Sequence, residues 1–251
     1  MIGPRSRMTP SSNDPFEHTA DWPAELLGEA REVVAYYDAL ASTYDESRFG
    51  HTHGTCLDAI ERSLLKEWLV GPRILDLACG TGRFLELASE GVDLSPEMVR
   101  HARERWPDKR IHQAPAWRIP VEDGAFDTIF SMHFFMHLRP RTLHFILEEC
   151  WRLLRPGGLL VFDLPNALRR RRAGPSASHP WHAATTLEDS QLLAHLGSRW
   201  RRTGQRGIAL APIHRVPSPL RKALVPAERL LARTPLKHLA SYHLVKLEKR
   251  A

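Results

Sequence analysis

The chain has 251 residues, enough for one α/β domain with a full core and too few for two of ordinary size. With 43% hydrophobic and 25% charged residues it has the composition of a soluble globular protein, and no stretch reaches the ~18 consecutive apolar residues of a transmembrane helix. The net charge of +6 is unevenly spread, because residues 166–251 carry 17 Lys/Arg against four Asp/Glu while the first 165 are acidic overall.

Residues 1–20, MIGPRSRMTPSSNDPFEHTA, lack the apolar segment of a signal peptide and read as a disordered lead-in. Residues 21–251 are expected to form a single domain. From Pro23 to about Thr43, the residues Leu26, Leu27, Ala30, Val34, Tyr37 and Leu40 recur near helical spacing. The polar stretch DESRFGHTHG (45–54) interrupts that pattern. Leu57, Ile60, Leu64, Leu65 and Trp68 then predict a second helix ending before Gly71-Pro72, so residues 21–70 read as an N-terminal helical cap.

Short apolar runs and helical segments alternate beyond it. Strands are predicted at Arg73–Leu77, Gly91–Leu94, Thr128–Met132 and Leu159–Asp163, with helices at Gly82–Ser89, Pro96–Trp106 and Arg141–Leu154. This rhythm predicts a doubly wound, mostly parallel sheet with helices on both faces. After Pro165 come a loop rich in Arg, Pro and His, a helix around Leu187–Leu196, and two runs, Ile208–Ile213 and Ser241–Leu247, that read as the last strands. The three cysteines Cys56, Cys79 and Cys150 form neither a disulfide framework nor a zinc pattern, which fits a reducing cytoplasm.

The stretch ILDLACGTGRF (74–84) carries most of the functional information. A strand running into a glycine-rich turn exposes backbone N–H groups at the carboxyl edge of a sheet, where open α/β folds bind ligands. A buried strand and turn without a ligand is the plain alternative. The dinucleotide fingerprint is not met, because Leu85 stands where its third small residue belongs. Asp76 would repel a pyrophosphate and suits a cationic or amine-bearing ligand. Asp93, ending the next predicted strand, suits the paired hydroxyls of a ribose, and Ser95-Pro96 reads as a helix cap that fixes its direction.

Ile74–Gly82 resembles the first motif of class I S-adenosylmethionine-dependent methyltransferases, and Gly91–Met98 resembles their second. Ile119–Asp127 is similar to the segment before their fourth strand, Leu153–Gly158 to the turn into the fifth, and Tyr36–Asp45 to the helix and turn closing over the cofactor. The resemblance implies a Rossmann-like, seven-stranded sheet with an antiparallel last strand, divided into a cofactor-binding half (71–165) and a substrate-side part (166–251). It implies S-adenosyl-L-methionine as cofactor, its methionine end lined by Ala78, Cys79, Gly80, Thr81 and Gly82 and its amine oriented by Asp76. Asp93 would hold the ribose, Leu94 and Met98 the adenine face, and Ala116 and Trp117 the adenine edge. Ser131 and Met132 would face the sulfonium, with Tyr37 and Tyr44 covering the site.

Two features depart from the family pattern. Pro115 replaces the usual acid beside the adenine edge, and only ten residues separate Gly82 from Asp93. A right-handed crossover takes at least ~10–12 residues, so the second strand should be a stub, with the site intact.

Methyl transfer needs positioning and at most one general base. His133 and His137 flank the expected methyl position and would share a face if helical. Two histidines without a further ligand do not suggest a metal. His182, His214 and Arg215, in loops rich in proline, are substrate-side candidates. The expected partner is a small molecule, an anionic one being favoured by the basic C-terminal third; no membrane partner is expected. Nucleic acid is disfavoured, since Arg169–Arg172 lack interleaved aromatics. The alternatives are a non-catalytic cofactor-binding subunit and an RNA methyltransferase.

Overall fold

In the computed structural model, which describes residues 24–167, 169, 196–211, 213 and 216–250, seven strands form one sheet. They are β1 (Ile74–Leu77), β2 (Glu90–Asp93), β3 (Arg110–Gln113), β4 (Phe126–Ser131), β5 (Leu154–Pro165), β6 (Trp200–Ile208) and β7 (Tyr242–Lys249). Their order is β3-β2-β1-β4-β5-β7-β6. The first five run parallel, and β7 lies antiparallel between β5 and β6. The doubly wound sheet with an antiparallel last strand is thus present.

Helices cover both faces: α1 (Ala24–Leu40), α2 (Tyr44–Phe49), α3 (Thr52–Trp68), α4 (Pro96–Arg105), α5 (Pro140–Leu153) and α6 (Ser218–Leu231). On one face Leu75, Leu77, Ile129 and Phe162 pack with Leu143, Ile146, Leu147 and Cys150 of α5. On the other, Phe130 and Val161 pack with Ile60, Leu64, Leu65 and Trp68 of α3 and Val99 and Ala102 of α4. Each such side chain contributes roughly 1.5–3 kcal/mol on burial, which fixes which way every strand residue points. α4 starts as its sequence dictates, with the Ser95 side chain accepting from Met98 N–H at 3.1 Å and Pro96 in the first turn.

Several expectations are corrected. No α-helix spans Gly82–Ser89; a single 3₁₀ turn, Leu85–Leu87, makes the crossover. A 3₁₀ turn rises ~2.0 Å per residue, so it spans the distance with fewer residues. Ser89 closes the connection: its N–H donates to Ile74 O at 2.8 Å, and its hydroxyl bonds both Ile74 N and Ile74 O. Pairing survives in full register, Leu75 with Glu90, Asp76 with Gly91 and Leu77 with Val92. The polar stretch after Thr43 is helical (α2), with Asp45 and Glu46 in its first turn, where the helix dipole favours acids. The run Ile208–Ile213 is not a strand. β6 ends at Ile208 and Ala209 turns away at φ 57°. β3, a four-residue edge strand, and α6 were not anticipated. The predicted helix around Leu187–Leu196 lies, apart from Leu196, outside the described residues, as do residues 1–23. Among the described residues no helix is long and apolar enough to cross a membrane.

Candidate active site

The carboxyl ends of β1, β2 and β4 open into a cleft, and α1 forms its far wall. At its floor the chain after β1 turns through left-handed conformations at Ala78 (φ 59°), Gly80 (φ 54°) and Gly82 (φ 79°). A Cβ built on Gly80 would meet only the Met98 sulfur, at 3.9 Å, so this glycine leaves open space toward the cleft. The Gly80 N–H donates to Asp93 Oδ2 at 2.8 Å, and the Ser95 N–H donates to Asp93 Oδ1 at 2.9 Å. Asp93 is thereby aimed along the floor.

Asp76 and Asp93 share this cleft. Asp76 is almost fully buried, at 2% exposure, and its Oδ2 has no hydrogen-bond partner. Burial raises its carboxyl from 3.8 to about 8; Arg83 pulls it down and Asp93 adds to the rise. Burial also raises Asp93, against the lowering effect of the Ser95 and Gly80 N–H bonds.

Of the residues expected at the cofactor, Asp76, Ala78, Cys79, Gly80, Thr81 and Asp93 line the cleft floor. Leu94, Met98, Ala116 and Trp117 line one side, Met132 the tip of β4, and Tyr37 and Tyr44 the cap. Two do not reach it. Gly82 lies beneath Leu85 and Trp106, its carbonyl accepting from Trp106 Nε1 at 2.8 Å. Ser131 is fully buried and donates its hydroxyl to Leu77 O at 2.7 Å, tying β4 to β1. His182, His214 and Arg215 lie outside the described residues.

His133 and His137 both line the cleft, but not from one α-helix. His133 sits in a left-handed turn (φ 59°), and His137 ends a 3₁₀ turn, Phe135–His137. The His133 ring is held by two acids that sequence reading did not single out. Its Nε2 is 2.7 Å from Glu61 Oε1 and its Nδ1 3.5 Å from Asp163 Oδ2, while its backbone N–H donates to Asp163 Oδ1 at 2.6 Å. Burial alone would lower its pKa; the Glu61 and Asp163 charges outweigh that and raise it. The Nε2 contact to Glu61 and the backbone bond to Asp163 fix the His133 ring at the tip of β4.

Arg83 extends this network, bonding Glu61 at 2.9 Å and Asp58 at 2.8 Å with its guanidinium 3.8 Å from both the Phe49 and Phe84 rings. Burial favours protonated Glu61, but the His133 and Arg83 charges prevail and hold it at about 2. The available signals were an acid on the apolar face of α3, between Leu57 and Leu64, and an acid inside the apolar run of β5. The cap is latched to the floor by polar contacts. Asp38 accepts from the Ser95 hydroxyl, and Asp45 accepts from the Thr81 hydroxyl at 2.7 Å and from Arg105 at 2.8 Å. Among the described residues no group of three or more His, Cys, Asp or Glu could hold a metal ion.

Residues 75–162 match a family described as "Methyltransferase domain". The chain is 33% identical over 147 residues to a demethylmenaquinone methyltransferase of Beutenbergia cavernae, covering 55% of this chain and 60% of that protein. It is 26% identical over 135 residues to a probable S-adenosylmethionine-dependent methyltransferase of Mycolicibacterium smegmatis, covering 51% and 52%. The chain thus spans half to three-fifths of the length of these curated relatives. The solved structure of a Thermotoga maritima methyltransferase, described as a possible histamine N-methyltransferase, shares the fold, with a TM-score of 0.62 at 17% identity over 85% of this chain and 98% of that one. Strand order and the glycine turn at the carboxyl edge agree with the family match: residues 75–162 carry a methyltransferase domain, and the chain is similar in sequence to S-adenosylmethionine-dependent methyltransferases and in fold to a solved one.

Proposed function

We propose that this protein transfers a methyl group from S-adenosylmethionine to a small molecule with an apolar body, held in the half of the cleft under α1. The observation that carries the reading is the pair of acids on neighbouring strand tips, sharing one cleft, one of them with a buried oxygen that has no partner. The cofactor's chemistry fits these residues. A cationic amine supplies what the buried Asp76 oxygen lacks, and the open space at Gly80 admits a ligand against the backbone. Asp93 keeps acceptor capacity beyond its two N–H bonds, since an ionised carboxylate offers about four lone-pair sites. Met98 and Leu94 give a flat base an apolar wall.

When bound, the cofactor supplies an activated methyl on a sulfonium, and the protein's part is to align a nucleophile and exclude water. The substrate half is built from Leu26, Ala30, Val33 and Val34 of α1 with Phe134 and Leu138, and its polar groups are Glu29, Thr142 and His137. That lining supports an apolar acceptor with few polar groups, in keeping with the quinone-type substrate named for the Beutenbergia cavernae relative. His137 is the group we assign to take a proton from an oxygen or nitrogen nucleophile. His133, clamped by Glu61 and Asp163, holds the tip of β4 in place.

Calorimetry with S-adenosylmethionine and its demethylated product tests the reading. Both should bind, and Asp93→Ala should weaken each by about 10²-fold, the loss of two hydrogen bonds to a charged group. A wild-type chain that binds neither overturns it.

A further inference from the structure

The connection from β6 to β7 carries an outward face that the cleft does not use. Along α6, Leu220, Ala223, Pro226, Ala227 and Leu230 recur at helical spacing and all are exposed, Leu220 at 58% and Leu230 at 66%. The 3₁₀ turn Pro235–Leu239 extends it with Leu236 at 48% and Leu239 at 60%. Four exposed leucines within twenty residues form a patch of the kind that marks an interaction surface.

Within the segment the charge is nearly all of one sign, although Arg233 is paired with Glu67 of α3 at 2.8 Å. Residues 216–241 contain Arg221, Lys222, Arg229, Arg233 and Lys237 against a single acid, Glu228. Glu228 is turned inward at 1% exposure, where its carboxylate accepts from the backbone N–H groups of Leu210 and Ala211. The segment itself therefore presents the exposed leucines beside Arg229 and Lys237 and no carboxylate of its own.

The connection also stands on the functional side of the sheet. β6 ends at Ile208 and β7 begins at Tyr242, which pairs with Pro165 at the carboxyl end of β5. The start of α6 packs on the start of α3, through Ser218 and Arg221 against Thr52.

We propose that this face docks the protein on the anionic headgroup layer of a lipid bilayer. The leucines would enter the interface while the arginines and lysines meet anionic headgroups, as in amphipathic helices that lie in the membrane plane. Charge argues against a second copy of this chain. A two-fold contact sets the same patch against itself and would bring two sets of cations together. The contact is peripheral, consistent with the lack of a membrane-crossing helix among the described residues. That the cleft then draws its acceptor from the lipid phase is a consequence resting on the function proposed above; the docking itself does not depend on it.

Flotation with vesicles tests the docking without reference to turnover. The full chain should float with phosphatidylcholine vesicles containing about 30 mol% phosphatidylglycerol and not with phosphatidylcholine alone. Binding should fall severalfold between about 0.05 and 0.5 M salt. The variant L220S/L230S/L236S/L239S should lose at least about tenfold in vesicle affinity with an unchanged melting temperature, since these side chains touch little of the core. R229E/K237E, which spares every leucine, should lose a comparable factor at low salt. No flotation of the wild type, equal binding to neutral vesicles, or full binding by both variants overturns the proposal. So does a wild-type dimer in light scattering that the leucine variant dissolves. Failure to bind S-adenosylmethionine would sink the methyltransferase reading and leave the flotation result standing.

Discussion

The acid at the end of β1 sets the behaviour of the site at the scale of a single residue. Asp76 titrates near 8 in the folded chain against 3.8 when unperturbed. Between those values the folded state holds a proton that the unfolded state has lost, so this group's contribution to stability falls as pH rises and levels off above 8. Asp76→Asn removes that slope. Melting curves should show the variant gaining on the order of 1 kcal/mol or more over the parent at pH 9, with little difference at pH 4. A cationic ligand reverses the sign, because binding favours the carboxylate and expels the proton. Affinity for S-adenosylmethionine should therefore climb with pH up to about 8, and calorimetry in buffers of differing ionisation enthalpy should detect released protons. An unchanged pH response in Asp76→Asn would mean that this carboxyl is not the buried, proton-bearing group. The Glu61–His133–Asp163 cluster works differently. There the groups are bonded to one another, Glu61 Oε1 to the His133 ring and Asp163 Oδ1 to the His133 backbone N–H, and what they hold is the left-handed turn that carries the β4 tip past the cleft.

Among the elements, the shortened crossover between β1 and β2 decides whether the two acids meet. It works because small residues stand at the points of closest approach. A Cβ on Gly82 would lie 2.9 Å from both Leu85 Cδ1 and Trp106 Cδ1, and one on Gly91 would lie 2.8 Å from Leu85 Cδ2. Leu85 is thus seated directly on the backbone of β2, in place of the missing helix. Gly82→Ala should cost about 2–3 kcal/mol in chemical denaturation, from the clash and the left-handed φ together. Gly80→Ala meets no such contact and should cost only about 1 kcal/mol while weakening cofactor binding disproportionately. Equal losses of stability in the two would show that Gly82 is not a packing residue. The same crossover explains what could be read in the sequence. The strand cores, the Ser95-Pro96 cap and both acids were legible, because each is a local pattern of apolar runs, turn residues and caps. The 3₁₀ turn was not, since it depends on Ser89 meeting Ile74 fifteen residues earlier. Helix α2 was hidden in a polar stretch, held by Asp45 reaching Thr81 and Arg105. Glu61 and His133 lie 72 residues apart, and nothing in either neighbourhood names the other. β6 was displaced because Trp200–Ile208 is an edge strand, rich in arginine and with Arg201–Thr203 all exposed, whose apolar signal is weaker than that of the loop after it.

At the scale of the whole molecule, the sheet and the helical cap are bound together by different forces. The sheet core is two layers of buried side chains on an unbroken run of strand pairing. Of the N-terminal helices, α3 is packed into the core, while α1 and α2 carry polar latches: Asp38 on the Ser95 hydroxyl, Asp45 on the Thr81 hydroxyl, and Glu29 accepting from the Thr142 hydroxyl of α5 at 2.9 Å. α1 and α2 also wall the cleft, so much of their inner surface faces space that a ligand would fill. Local opening should follow this division, with the cap the least protected part and the sheet opening only on global unfolding. Hydrogen exchange on the ligand-free chain should find fast amides over residues 24–49 and slow ones in β1, β4 and β5. The double variant Asp38→Ala/Asp45→Ala should accelerate exchange in the cap by about tenfold or more and leave the sheet unchanged. Added S-adenosylmethionine should slow the cap amides of the wild type, because a ligand between cap and floor stabilises only the closed arrangement. Uniform acceleration across cap and sheet in the variant would mean that the two fold as one cooperative unit. The cleft would then have to admit its ligands without the cap moving.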